Sequence, residues 1–225
     1  MKDTRADGVP LSSTLYTPTG YQEGTRLPTI LNAYPADYAD ISRAGQTTGS
    51  QATFPRLRQY RLLLLAGYAI IKAASFPIVG DPRKAYDTDT DQLVANAQAA
   101  VDEVVPHHTD PNRVGVMGHS HGAPMTASLL AHSSLFRAGA ATSGWYNKSL
   151  TPFGFQNERR SVWEAPEVYT KVSTCFYADK LKTPLLIVHF GDDANPGTTP
   201  LQSTKLYEML RWSDKYVKDA PAVTR

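Results

Sequence analysis

The strongest chemical feature of the 225-residue sequence is a serine between two glycines. The five residues are Gly118-His119-Ser120-His121-Gly122, which fit the pattern Gly-x-Ser-x-Gly. In such a pattern the serine occupies a strained strand-to-helix turn that exposes its hydroxyl, and side chains at either glycine would collide with neighbouring elements. We therefore predict a nucleophilic Ser120, with the backbone N–H of His121 as one donor to an oxyanion. A serine in a glycine-rich turn without catalytic work is the alternative.

The segments around this motif have the composition that the turn requires. Asp110-Pro111-Asn112 predicts a turn, residues 113–117 predict a buried strand, and residues 123–132 predict a helix. Further strands are predicted at 13–16, 29–34, 68–73, 138–142 and 185–189, and further helices at 55–66, 91–105 and 199–211. This alternation predicts an α/β fold with a mostly parallel sheet, helices on both of its faces, and strand 114–117 near its middle.

Composition limits the number of domains and the kinds of partner. With 41% hydrophobic and 20% charged residues, the chain has material for one sizeable core. The net charge of +2 is small and the basic residues are dispersed, so we expect no nucleic-acid partner. The longest apolar run, residues 62–71, is too short for a membrane span. Cys175 is the single cysteine, which rules out an internal disulfide and leaves the compartment open.

Several stretches resemble the catalytic domain of the prolyl oligopeptidase family of serine peptidases, and most of all its glutamyl endopeptidase branch. The stretches are Asp7-Gly8-Val9-Pro10-Leu11, Ala33-Tyr34-Pro35, Asp110-Pro111-Asn112-Arg113, Gly118-His119-Ser120, Leu129-Leu130-Ala131-His132-Ser133, the segment from Leu150 to Arg160, and Asn195-Pro196-Gly197-Thr198. The resemblance implies an α/β-hydrolase fold, a peptide or protein substrate, no cofactor, and hydrolysis through an acyl-enzyme on Ser120, with cleavage after Glu as one expectation. An esterase of the same fold and a catalytically inert chain are the alternatives.

The resemblance also implies two further site residues. In the family the catalytic acid lies in a segment that begins with His and ends in Pro-Gly-Thr; here that segment is 189–198, and the acid is Asp193, with Asp192 as the second choice. The family places a tyrosine hydroxyl in the oxyanion hole, and the corresponding residue is Tyr34. The sequence Tyr34-Pro35-Ala36 departs from the usual Tyr-Pro-Gly, so the backbone of this turn is expected to differ slightly.

A base for the serine is the missing element. The expected chain order is Ser, Asp, His, yet all six histidines precede Asp193. His189 is the reserve candidate, and none of the six is a convincing base. Residues 212–225 also lack the apolar strand that should precede a histidine loop. We hypothesise truncation or a frameshift near Arg211, loss of the family's N-terminal propeller domain in the same way, and little activity.

We predict that the chain consists of a linker remnant at 1–8, a peptidase domain at 9–211 and a divergent tail at 212–225. Residues 143–160 form a long irregular loop, which suggests a functional role. Within it Arg159 and Arg160 are candidates to bind a substrate carboxylate, although surface arginines without such a duty are common. Trp145 and Tyr146 could wall a specificity pocket, with core packing equally plausible. No metal site is expected, because His107-His108 and His119-x-His121 lack a third ligand at a usable spacing.

Overall fold

The computed structural model describes residues 1–44, 60–73 and 76–213. Within these ranges the strands are β1 (Lys2–Thr4), β2 (Pro10–Tyr16), β3 (Leu27–Asn32), β4 (Pro35–Tyr38), β5 (Ala69–Ala73), β6 (Phe76–Val79), β7 (Thr109–His119), β8 (Ala138–Thr142) and β9 (Leu185–Val188). The α-helices are α1 (Arg61–Leu65), α2 (Asp89–Val104), α3 (Gly122–His132), α4 (Pro166–Val172) and α5 (Pro200–Ser213).

The strands form a large sheet and a small one. The large sheet has the order β1-β2-β5-β3-β7-β8-β9, in which β2 is antiparallel to both of its neighbours and all other pairs are parallel. The small sheet is the parallel pair β4 and β6, which continue the chain beyond β3 and β5. The mostly parallel sheet is as predicted. The strand predicted to be central, 114–117, belongs to β7, which lies next to the middle strand β3.

Two apolar clusters hold the helices on the sheet. The larger cluster joins β3, β5 and β7 with α2 and α3, through side chains such as Leu31, Ile71, Val101 and Leu129. The smaller one joins α3, β8 and α5 and contains Cys175, which is buried and free, as expected of a core residue. Burial of these apolar side chains fixes the carboxyl ends of β7, β8 and β9 along one edge of the sheet.

The N-terminal residues differ from the expectation of a linker remnant at 1–8. Residues 2–4 form β1, paired with β2, and Arg5 is only 3% exposed. The Arg5 guanidinium donates to Asn96, Gln92 and Asp7, so every face of this charged group is paired. A buried arginine with such partners belongs to the folded domain, although its residue type suggested solvent.

Other differences concern short elements and the helix predicted at 55–66. That helix appears as α1, Arg61–Leu65, while residues 55–59 lie outside the described part of the chain. Neither β4 nor β6 was predicted, because each has only four residues and contains a proline. The described residues contain no helix that is long and apolar enough to cross a membrane.

Candidate active site

Ser120 lies in the predicted strand-to-helix turn. Strand β7 ends at His119, helix α3 begins at Gly122, and Ser120 between them has a φ of 55°. The Ser120 N–H donates to the carbonyl of Thr142 at 3.0 Å, and the Ser120 carbonyl accepts from the N–H of Ala123 at 3.0 Å. A non-glycine residue rarely adopts a positive φ, so these bonds hold the turn in a strained conformation that exposes the serine.

The two glycines of the motif are required by close backbone contacts. A Cβ atom on Gly118 would lie 2.0 Å from the carbonyl oxygen of Gly122. A Cβ atom on Gly122 would lie 2.6 Å from the carbonyl oxygen of Ala33. Both distances are shorter than any real contact of such atoms, so strand, turn and helix approach each other at a separation that only glycine allows.

Ser120 opens on a cavity of about 580 Å³ at the carboxyl edge of the sheet. Its lining residues are His119, Ser120, Ser143, Phe190, Gly191, Asp192, Asp193, Ala194, Asn195 and Thr198. Ser143, which no sequence motif singles out, follows β8, has a φ of 47°, and carries a buried hydroxyl with no hydrogen-bond partner among the described residues. Its position after a strand was the only available indication. Two strained serines therefore border one cavity.

Asp193 faces this cavity in a fixed orientation. Its Oδ1 accepts from the N–H of Asn195 at 3.0 Å, and its Oδ2 accepts from the hydroxyl of Thr198 at 3.2 Å and lies 3.3 Å from Nε2 of His189. The Asn195 N–H is the main reason that the pKa of Asp193 lies below its ordinary value, so the carboxylate is charged at neutral pH. Asp192 lines the same cavity but is exposed.

All six histidines are described, and none forms a hydrogen bond with Ser120. His119 lines the cavity but is exposed, His107 and His108 precede the amino end of β7, and His132 ends α3 against Tyr177. His189, the reserve candidate, is held by Ser203 at 2.6 Å from Nδ1 and by the Thr198 carbonyl at 2.7 Å from Nε2. Because a carbonyl only accepts, Nε2 of His189 carries a proton and fixes the loop that bears Asp193.

The side chain of His121 is buried behind the turn. Its ring stacks on Trp145, and its Nδ1 accepts from the Trp145 indole N–H at 3.2 Å. Burial, and then the nearby Lys148 charge, lower the pKa of His121 to about 3, so the ring is neutral with its proton on Nε2. The ring of Tyr34 meets that of His121 edge-on at 5.9 Å between centroids, and Tyr34 is 46% exposed. Tyr34 thus stands beside the turn with one face open.

Trp145 and Tyr146 are core residues. Trp145 packs with Tyr86, Ala165 and Val168, and Tyr146 belongs to the smaller cluster under α3. Both are almost completely buried, and neither lines the cavity at Ser120. Of the two roles considered for them, the structure supports core packing, and the pocket-wall role is not supported.

The adjacent arginines 159 and 160 have different environments. Arg160 is bound by Glu158 at 3.0 Å and by Asp87 at 2.7 Å, which hold its pKa above the ordinary value. The Arg160 guanidinium is thus already paired with two protein carboxylates, which does not favour its predicted role in binding a substrate carboxylate. Arg159 is exposed and forms no ion pair within the described ranges.

Lys148 is a buried cation that the sequence did not reveal. Its ammonium lies over the rings of Tyr86, Trp145 and Phe155 at 4.9, 5.2 and 5.5 Å, and donates to the Phe155 carbonyl. Burial lowers the pKa of Lys148 to about 8. Burial also disfavours the charged form of Asp89, and for an acid this raises the pKa, here to about 7. No group of three or more potential metal ligands occurs in the described part of the chain.

Fold and site together define an α/β hydrolase with a serine elbow. A sequence model of the prolyl oligopeptidase family matches residues 82–220, which is more than half of the chain. The chain belongs to the prolyl oligopeptidase family and has the α/β fold of its serine peptidase domains.

Two kinds of similar protein support this assignment: relatives in sequence, and solved structures with the same fold. The chain is 44% identical over 214 residues to the probable chloroplastic glutamyl endopeptidase of Arabidopsis thaliana, and 43% identical over 215 residues to that of Oryza sativa subsp. japonica. The matches cover 92% of this chain but 22% and 23% of those proteins. This chain therefore spans less than a quarter of the length of these relatives.

The solved structures show the same fold at lower sequence identity. Dipeptidyl peptidase 4 of Porphyromonas gingivalis superposes with a TM-score of 0.73 at 18% identity, covering 95% of this chain and 30% of the solved one. The acylaminoacyl peptidase of Pyrococcus horikoshii gives 0.69 at 20% identity, covering 95% and 34%. The solved chains are thus much longer than the domain described here.

Proposed function

We propose that this chain carries a serine peptidase site in which Ser120 attacks the peptide carbonyl and Asp193 is the orienting acid. The observation that carries the proposal is the strained Ser120, which shares one cavity with a fixed, charged Asp193. Cleavage after Glu is the finer proposal, supported by the names of the two relatives that are over 40% identical.

The proposed chemistry follows from the positions of the groups. The Ser120 oxygen attacks the peptide carbonyl carbon and the C–N bond breaks, so that the amine leaves with a proton from the serine and an acyl-enzyme remains. A water molecule then cleaves the ester, which releases the carboxylic acid and restores the Ser120 hydroxyl. The negative charge on the former carbonyl oxygen is stabilised by the backbone N–H of His121, at the start of α3, and by the hydroxyl of Tyr34. None of the six histidines bonds to Ser120, so the deprotonation step is slow and the activity of this chain is low.

A fluorophosphonate probe tests the nucleophile. Labelling of the wild-type chain that disappears in Ser120→Ala, and persists in the neighbouring Ser143→Ala, supports the proposal. Absence of labelling in a folded wild-type chain contradicts it and favours an inert hydrolase-like chain. Comparing hydrolysis of a Glu-containing peptide with that of a short-chain ester then separates a peptidase from an esterase.

A further inference from the structure

A second cavity at the same edge of the sheet contains two arginines. Its volume is about 490 Å³, and its lining residues are Asp37, Tyr38, Ala39, Gly80, Pro82, Arg83 and Arg159. Strand β4 leads into this cavity from Tyr34, whose ring lies against His121 next to the nucleophile. Since a strand advances about 3.3 Å per residue, Asp37 is about 10 Å along the chain from Tyr34. The cavity is therefore within reach of a peptide bound at Ser120.

The cavity carries an excess of positive charge, which favours an anionic ligand. Neither Arg83 nor Arg159 forms an ion pair with any residue that the structure describes, and both are exposed. Other arginines of the chain, such as Arg5 and Arg113, are bound to carboxylates. The one carboxylate in the lining, Asp37, is not free and interacts electrostatically with the buried Lys148. Two guanidinium groups are thus left to attract a ligand.

The backbone next to Arg159 is held in place by the contacts of its neighbour Arg160. Arg160 is bound to Glu158 and Asp87, and its carbonyl accepts from the hydroxyl of Tyr169 at 2.8 Å. On the other side the Arg159 side chain passes Gly154, where its Nη1 lies 3.8 Å from the position of an added Cβ atom, an ordinary contact distance. The contacts of Arg160 therefore anchor the backbone next to Arg159, which reduces the conformational entropy that a bound ligand must overcome.

We propose that Arg83 and Arg159 form a subsite for a side-chain carboxylate of a peptide substrate bound across Ser120. A guanidinium group matches a carboxylate with two parallel hydrogen bonds, which an amide of the same shape cannot reproduce. This inference rests on the proposed peptidase function and adds the residues that would select acidic substrates.

The test compares two fluorescein-labelled peptides, Ala-Ala-Glu-Ala-Ala and Ala-Ala-Gln-Ala-Ala, by fluorescence anisotropy. We expect the Glu peptide to bind about three to ten times more tightly at low ionic strength, with the preference falling as salt is added. Arg159→Gln and Arg83→Gln should each reduce the preference at least twofold, because each removes one of the two cations. Arg26→Gln is the matched control: Arg26 is exposed and lies just before β3, at the opposite edge of the sheet.

Three outcomes would overturn the subsite: equal binding of the two peptides to the wild type, a preference unchanged in both variants, or an equal loss in Arg26→Gln. Far-UV circular dichroism confirms that the variants are folded. Fluorophosphonate labelling of Ser120 keeps the two proposals apart. Labelling without a Glu preference supports the peptidase proposal and refutes the subsite. A Glu preference without labelling contradicts the peptidase proposal and supports the carboxylate subsite. Slower labelling in the presence of the unlabelled Glu peptide than of the Gln peptide supports both.

Discussion

At the scale of single residues, the turn around Ser120 depends on two glycines for which no substitute fits. Gly118→Ala places a methyl group against the backbone of Gly122, which no side-chain rotation relieves. We expect a loss of about 2–3 kcal/mol in the free energy of unfolding, since overpacking against rigid backbone costs this much. Urea denaturation measures the loss.

Gly191→Ala is the matched control for that substitution. Gly191 lines the same cavity, has no atom within 4 Å of the position of an added Cβ, and does not adopt a positive φ. Its substitution should change stability by less than about 0.5 kcal/mol. Equal losses in the two variants would mean that the close contact at Gly118 is not what the fold requires.

Two buried groups near the site make opposite contributions to the pH dependence of stability. The pKa of His121 is lowered to about 3, so the unfolded chain binds more protons there and stability falls as the pH drops from about 6.5 towards 3. The pKa of Asp89 is raised to about 7, so the folded chain binds more protons there and stability falls as the pH rises from about 4 to 7. The two slopes largely cancel between pH 4 and pH 6.5.

The variant Asp89→Asn should remove one of these contributions. The neutral amide resembles the protonated carboxyl, so the variant and the wild type should differ least near pH 5. At pH 8 the wild type must hold a buried charge, and the variant should gain more than about 1 kcal/mol of relative stability between the two pH values. Urea denaturation at pH 5 and pH 8 gives both differences. A relative stability that is the same at both pH values would show that Asp89 is ionised throughout.

At the scale of elements, β9 is an edge strand of the large sheet, and it can pair with a strand of another molecule. Within the described residues it pairs with β8 on one side, and Leu186 and Val188 are exposed. An uncovered apolar edge with free backbone groups is a template for another strand. We expect the wild-type chain to self-associate as its concentration rises, and Val188→Lys to weaken this association in sedimentation velocity measurements.

The control for the edge strand is Leu62→Lys on α1. Leu62 is 77% exposed, more than Val188, but it lies on a helix and offers no unpaired strand. If Leu62→Lys weakens association as much as Val188→Lys does, general surface hydrophobicity rather than the edge of β9 is responsible.

Sequence patterns predicted the elements that surround the nucleophile better than those at the margins of the sheet. Strand β7, the turn and α3 could be predicted because an apolar run, two glycines and a helical segment follow in immediate succession. β1 could not, since its charged residues suggest solvent, and the partners that bury Arg5 come from distant α2. Arg159 and Arg160 are adjacent residues of the same type, and the fold pairs only Arg160, with nearby Glu158 and distant Asp87, while Arg159 has no ion pair among the described residues.

At the scale of the whole molecule, the question is what can remove the proton from Ser120. The cavity between Ser120 and Asp193 has a volume of about 580 Å³, ample for a small heteroaromatic ring. Free imidazole bound there could donate from one nitrogen to the Asp193 carboxylate and accept the Ser120 proton at the other. We therefore expect added imidazole to accelerate ester hydrolysis by the wild-type chain.

The expected acceleration is about tenfold over the chain without imidazole, a fraction of what a positioned base provides. It should saturate with imidazole concentration, disappear in Ser120→Ala and weaken in Asp193→Asn, because the neutral amide holds the ring less well and does not stabilise its positive charge. His119→Ala should keep the acceleration, since His119 lines the cavity but makes no hydrogen bond to Ser120. A rate that rises linearly with imidazole and equally in Ser120→Ala would be catalysis in solution. That result would contradict the proposal that Ser120 and Asp193 act together in one site.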